Sequence, residues 1–374
     1  MLEEIIKQER EMKLEFEKLI SKKYNHKCLY PNCDEDAILS HTISKSTLKN
    51  IATKNNHLIY RKFNRAEFTS EDFLNPKKIN MKLKKISIHK ASTFKGFCKK
   101  HDNNIFESID NKGIITYKDI ILQFYRTTSK RYFLNNMVKK AELNNSGKEY
   151  YSNQKFENNK VTNFEKIIST LINLIIYDDV SLKENINISD NESLIMEINK
   201  SDILIIHKHI SIKYPITLEN SYTLLLNDNT YTSIIILIPT KIGTLLFILC
   251  HKDTLEQYSH HLKSNLTILN FIERSFMMDS EFYLNQNEFN TWSKEKKEII
   301  EQDLYFYNEL IFKEYDISIF DEIRKKIIEN KPQQIQNYEN NKIDKNPNRP
   351  NLKIRMEKLS EFIESNHKKM KLNS

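Results

Sequence analysis

Cys28-Leu29-Tyr30-Pro31-Asn32-Cys33, answered much later by Phe97-Cys98-Lys99-Lys100-His101-Asp102, is the pairing on which the reading of this chain turns. Each stretch holds two metal-type ligands a few residues apart, and three of the four cysteines fall within them. Zinc prefers four tetrahedral sulfur or nitrogen ligands, and short knuckles supply two from each of two places. Pro31 and Asn32 bring turn chemistry to the first knuckle. Cys98 and His101 are spaced as the start of a helix allows. Cys28, Cys33, Cys98 and His101 are therefore read as a structural zinc site that closes a loop of more than sixty residues. Metal binding offsets part of the entropy of that closure. The competing reading, ordinary buried thiols and a surface histidine, requires a double knuckle to arise by chance.

Between the knuckles, Ala37-Ile38-Leu39 has strand character, with His41 two residues beyond Leu39. Ser44 and Ser46 are candidate N-caps for a helix through Leu48-Lys49-Asn50-Ile51-Ala52. A neutral imidazole at a strand end is competent to take a proton from water. A second, divalent metal on a phosphate oxygen would stabilise the charge that develops. The alternative is a core or capping histidine.

Charge is placed unevenly. Fifteen Lys or Arg face three acids (Glu67, Glu71, Asp72) between His41 and His101, a net of +12 in a chain of net +8. The remainder is thus mildly acidic. A local excess of that size favours a polyanion, because each neutralised phosphate releases counterions; a solvated lysine-rich insert is the competing reading. Four scattered glycines (Gly96, Gly113, Gly147, Gly243) build no phosphate-cradling loop, which excludes Walker-type and dinucleotide-binding chemistry. The chain begins with a charged amphipathic segment rather than a signal peptide. The longest apolar run, Thr232 to Cys250, is broken by Pro239, Lys241 and Gly243 and reads as two strands rather than a membrane span. With the cysteines patterned for metal and Cys250 left over, the expected home is a reducing cytoplasm.

The spacing of apolar residues divides the chain as follows. Residues 1–25 form an amphipathic helix, 26–117 a zinc-binding module with a basic insert over Asn50–Lys90, and 118–160 a helix and linker. Residues 161–330 form an α+β domain with an antiparallel sheet, built on a helix near 161–176 and strands at Leu194–Ile198, Ile203–Tyr214, Tyr222–Leu226, Tyr231–Ile238 and Thr244–Cys250. Helices are expected near Thr254–Ser264, Ser293–Tyr315 and Phe320–Asn330. The Asn-, Gln- and Pro-rich 331–350 reads as a flexible tether, and 351–374 as a basic C-terminal helix. His207 and His209 share a strand face read as solvated, and His260-His261 point apart on a helix. Trp292 reads as a packing anchor. Tyr125, Arg126, Lys130, Arg131 and Tyr132 are candidates to line a nucleic-acid groove, although half of that segment must be helix core.

Ser40-His41-Thr42-Ile43-Ser44-Lys45-Ser46 resembles the first motif of the HNH (ββα-metal) endonuclease family. Phe94-Lys95-Gly96-Phe97-Cys98-Lys99-Lys100-His101-Asp102-Asn103-Asn104-Ile105-Phe106 is similar to its closing motif. The resemblance covers residues 26–117 and implies a treble-clef-like, zinc-stabilised ββα-metal module. By this resemblance His41 is the general base, and His101 or Asp102 a ligand of a catalytic Mg²⁺ or Mn²⁺. Ser40 stands where the family's usual acidic ligand does, and its middle asparagine has no counterpart, Thr93 and Lys95 lying near its place. If His101 takes the zinc, Asp102 remains for the catalytic metal, and His57 or His89 from the insert are further candidates. The whole chain also resembles bacterial two-domain proteins of unassigned role. Two functions follow as expectations. One is an HNH-like endonuclease acting on nucleic acid, DNA ahead of RNA, with a role in bacterial defence by analogy. The other is a non-catalytic zinc module that binds nucleic acid or a protein partner, or assembles as an oligomer.

Overall fold

Ile234-Ile235-Ile236-Leu237-Ile238 and Leu245-Leu246-Phe247-Ile248-Leu249 are apolar at every position because both faces of their sheet are covered. Ile235, Leu237, Leu246 and Ile248 belong to one core. Ile234, Ile236, Ile238, Leu245, Phe247 and Leu249 belong to the other. Successive strand residues point to opposite faces, so a sheet buried twice has no place for the usual polar alternation.

The computed structural model describes residues 11–361 apart from 13, 22, 64–80, 146–153, 178–181, 183, 187–192, 199–200, 227–228, 279, 311–312, 344, 346 and 360. The first half holds β1 (Leu39–His41), α1 (Lys45–Lys49), β2 (His57–Phe63), β3 (Met81–Ser87), β4 (Thr93–Lys95), α2 (Lys99–Asn111), α3 (Tyr117–Asn145) and α4 (Gln154–Tyr177). Strands β5 (Leu194–Glu197), β6 (Ile203–Ile210), β7 (Ile216–Leu226), β8 (Asn229–Pro239) and β9 (Thr244–His251) follow. The rest comprises α5 (Leu255–Ser259), α6 (Asn265–Met277), β10 (Glu281–Asn285), α7 (Gln286–Thr291), α8 (Lys294–Tyr305), α9 (Asp321–Ile328) and α10 (Gln333–Ile343). The architecture is α+β with an antiparallel sheet, as expected.

Eight strands form the large sheet in the order β3-β2-β10-β7-β8-β9-β6-β5, and β1 pairs with β4 separately. The basic insert thus supplies two strands to the same sheet as residues 194–285, with Tyr60 opposite Tyr283 across the β2–β10 seam. Helices α3 and α4, with the ligand-bearing segment, cover one face. Helices α6 and α8 and residues 315–320 cover the other. Among the described residues no helix is long and apolar enough to cross a membrane.

Several expectations change. His207 and His209 do not lie on a solvated face: they are 2% and 6% exposed, because α3 and α4 cover that side. Residues 331–350 are not a bare tether. They include α10, and Arg349 pairs with Asp303 at 2.6 Å and Asp316 at 2.7 Å. Helix α6 and strand β10 lie outside the helices and strands expected from the sequence. Ser264 caps α6 through a reciprocal bond with Thr267, and that spacing is the local signal for the helix. Residues 352–359 are helical, while 362–374 of the expected C-terminal helix, residues 1–10 of the N-terminal one and 146–153 of the linker lie outside the described residues. Trp292 is a packing anchor, its indole N–H donating to the Ile319 carbonyl at 3.1 Å.

Candidate metal centre

The first knuckle is a tight hairpin. Lys27 bridges Asp36, the Cys28 N–H donates to the Glu35 carbonyl at 2.9 Å, and Asn32 turns the chain at φ 57°. Asparagine tolerates this left-handed backbone better than most residues. The Tyr30 N–H points at Cys28 Sγ, 3.5 Å away. Cys98 is the N-cap of α2 with extended backbone, and His101 sits in the first helical turn. Three features bring the knuckles together: the β1–β4 pair, the Leu29 N–H on the Gly96 carbonyl (2.8 Å), and the Ile38 N–H on the Phe97 carbonyl (2.8 Å).

The ligand atoms of Cys28, Cys33, Cys98 and His101 all lie within 4.8 Å of one another. His101 Nδ1 is 3.5 Å from Cys28 Sγ and 3.3 Å from Cys98 Sγ, and Cys33 Sγ is 3.9 Å from Cys98 Sγ. Tetrahedral zinc, with Zn–S near 2.3 Å and Zn–N near 2.0 Å, sets neighbouring ligand atoms about 3.5–3.8 Å apart. The donor set and its spacing are therefore compatible with zinc. Burial pushes the Cys98 thiol up to about 12 and raises Cys28 as well. Ionised thiolates in that setting need a cation to compensate them. A metal held by all four residues has no open position for water, so its chemistry is structural. Tyr30 stacks on the His101 ring with centroids 4.1 Å apart and fixes its orientation.

His41 ends β1, opposite Thr93. Its Nε2 lies 3.3 Å from the Ile88 carbonyl, which only accepts, so Nε2 carries the proton and Nδ1 is the basic nitrogen. Burial, with Lys45 nearby, pulls its pKa down to about 4. Asp102 is half-buried, and burial raises its pKa while Arg126 partly offsets the rise. Arg126 is fully buried: it lies 3.8 Å from Asp102 Oδ1, grips Asp110 at 2.7 and 2.8 Å, and stacks over Phe106 at 4.1 Å. The Ser40 hydroxyl accepts from the Phe97 N–H at 3.3 Å.

Sequence reasoning missed Arg126 in this role. Tyr125, Arg126 and Lys130 are buried, not groove-lining. Lys130 instead meets Glu281 at 2.5 Å, while Thr42 and Thr127 donate to the two oxygens of Glu219 at 2.7 and 2.5 Å. Burial raises the pKa of Glu219; it acts to raise Glu281 too, but Lys130 and Arg131 hold that carboxylate below its usual range. This network bolts β1 and α3 to the sheet. His57 bonds its own loop at Asn55, and His89 is exposed; neither joins the cysteine cluster. Among the described residues, Cys28, Cys33, Cys98 and His101 are the one group of three or more His, Cys, Asp or Glu able to hold a metal ion. No family model, curated protein or solved structure matches the chain.

Proposed function

We propose that residues 26–117 form a zinc-stapled, treble-clef-like ββα module that binds nucleic-acid backbone without cutting it. A knuckle, an antiparallel strand pair and a helix whose N-cap and first turn supply the last two ligands support this reading. The observation that carries the non-cutting part is Arg126. Its guanidinium pairs with Asp110 and lies 3.8 Å from Asp102, the carboxylate that the resemblance leaves for a catalytic divalent ion. Like charges in a buried site repel strongly, so a divalent ion there competes with a resident cation. Exposed Lys45, Lys49, Lys84, Lys85 and Lys90 support contact with phosphate.

A second reading, the metal-dependent endonuclease, is favoured by one observation: His41 is neutral at pH 7 and keeps Nδ1 basic. Incubating the full chain with plasmid and Mg²⁺ or Mn²⁺, beside His41→Ala, separates the two. Retarded but intact DNA with both proteins supports binding alone. Nicking by wild type that vanishes in His41→Ala supports the endonuclease. Plasmid that is neither retarded nor nicked removes both.

A further inference from the structure

His207 stands in the middle of β6, 2% exposed, and neither ring nitrogen has a hydrogen-bond partner among the described residues. Buried polar atoms in native proteins are nearly always paired, so an orphan imidazole calls for a missing partner. Beside it is a cavity of about 270 Å³. Its walls are Ile121 of α3, Leu174 of α4, Leu182, and Leu194 and Met196 of β5, with Leu194 directly across the strand pair from His207. Tyr117 meets the imidazole edge-on at 5.5 Å. Near Tyr117, residues 184–186 pair with 115–117, through Tyr117 N–H on the Glu184 carbonyl and Ile186 N–H on the Ile115 carbonyl.

The space is many times what one water occupies, roughly 30 Å³ in the liquid, and aliphatic side chains line it beside Tyr117, Glu197 and His207. Burial keeps the imidazole neutral, so it presents one donor and one acceptor rather than a charge. Among the described residues that line the cavity, Glu197 is the one charged group, and it repels anions. We propose that this cavity binds a small uncharged molecule with an apolar body, about the size of a fused aromatic bicycle, and one hydroxyl or similar group that bonds His207. The site is independent of the cysteine cluster, although Tyr117 and Ile121 share α3 with Arg126.

The test uses 2-naphthol as probe on the full chain, followed by its fluorescence, with naphthalene-2-sulfonate as the charged counterpart. Wild type is expected to bind 2-naphthol saturably at one site and to take the sulfonate at least about tenfold more weakly. His207→Leu removes the polar partner and Leu194→Trp fills the space. Each is expected to weaken 2-naphthol by about tenfold or more, with circular dichroism confirming the fold. No saturable binding to wild type up to about 1 mM, or binding that either folded variant leaves unchanged, overturns the proposal.

Discussion

Arg126 of α3 holds Asp110 of α2 at two points, Nη1 to Oδ1 at 2.7 Å and Nη2 to Oδ2 at 2.8 Å. The grip fastens the ligand-bearing helix to the long helix behind it. It also sets a permanent positive charge 3.8 Å from Asp102. Two-point pairs of this kind are among the stronger ionic contacts, and their arginine is never neutral.

Arg126→Met is expected to cost about 2–3 kcal/mol in urea unfolding, below the usual penalty for a fully buried pair because Asp110 is partly exposed. The same change frees two carboxylates. Mn²⁺ should then bind near α2 and broaden its NMR signals in the variant, and leave wild type untouched. Broadening in wild type would place a divalent ion where Arg126 is argued to exclude it.

Elemental analysis should return one zinc per chain. Cys98→Ser is expected to lose the metal and on the order of 5 kcal/mol of stability, since the folding of such a site is tied to its ion. Cys250→Ser is the control: that thiol lies in the other core, on β9, and its replacement should leave the zinc content at one. Zinc retained in Cys98→Ser would contradict the ligand assignment.

His41 should titrate near pH 4 by ¹⁵N-histidine NMR, against 6.5 for a free histidine. Its folded pKa lies below the unfolded one, so the unfolded chain takes up the proton first. The contribution is complete above about pH 6.5 and declines as pH falls toward 4, in total about 3 kcal/mol. His41→Asn should flatten that part of the stability profile. An unshifted titration would mean that the Ile88 contact and the burial do not hold in solution.

Nucleic-acid affinity should fall steeply with salt, the logarithmic slope changing by about 0.9 for each phosphate that the protein no longer neutralises. Lys45→Glu with Lys49→Glu is expected to lower both affinity and slope, measured by fluorescence anisotropy. Equal slopes would take the phosphate away from α1.

The ligand set was legible because its chemistry is local: Cys28 and Cys33 share one turn and Cys98 and His101 one helical start, so spacing alone constrains them. The strands of the second half were legible from their apolar runs. What could not be read was anything set by packing across the chain. Alternation around His207 and His209 suggests a wet face, and only the cover of α3 and α4 buries it. Arg126 looks like a groove residue until α2 is laid against α3. The basic insert's strands gave no sign that they would join β10, because pairing partners more than two hundred residues apart leave no local trace.

The most direct test of binding without cutting uses an end-labelled DNA duplex with a molar excess of the full chain in Mn²⁺, followed over hours on a denaturing gel. A complex by anisotropy and strands of unchanged length are expected. Shortened strands that appear with wild type and disappear with His41→Ala would contradict binding without cutting.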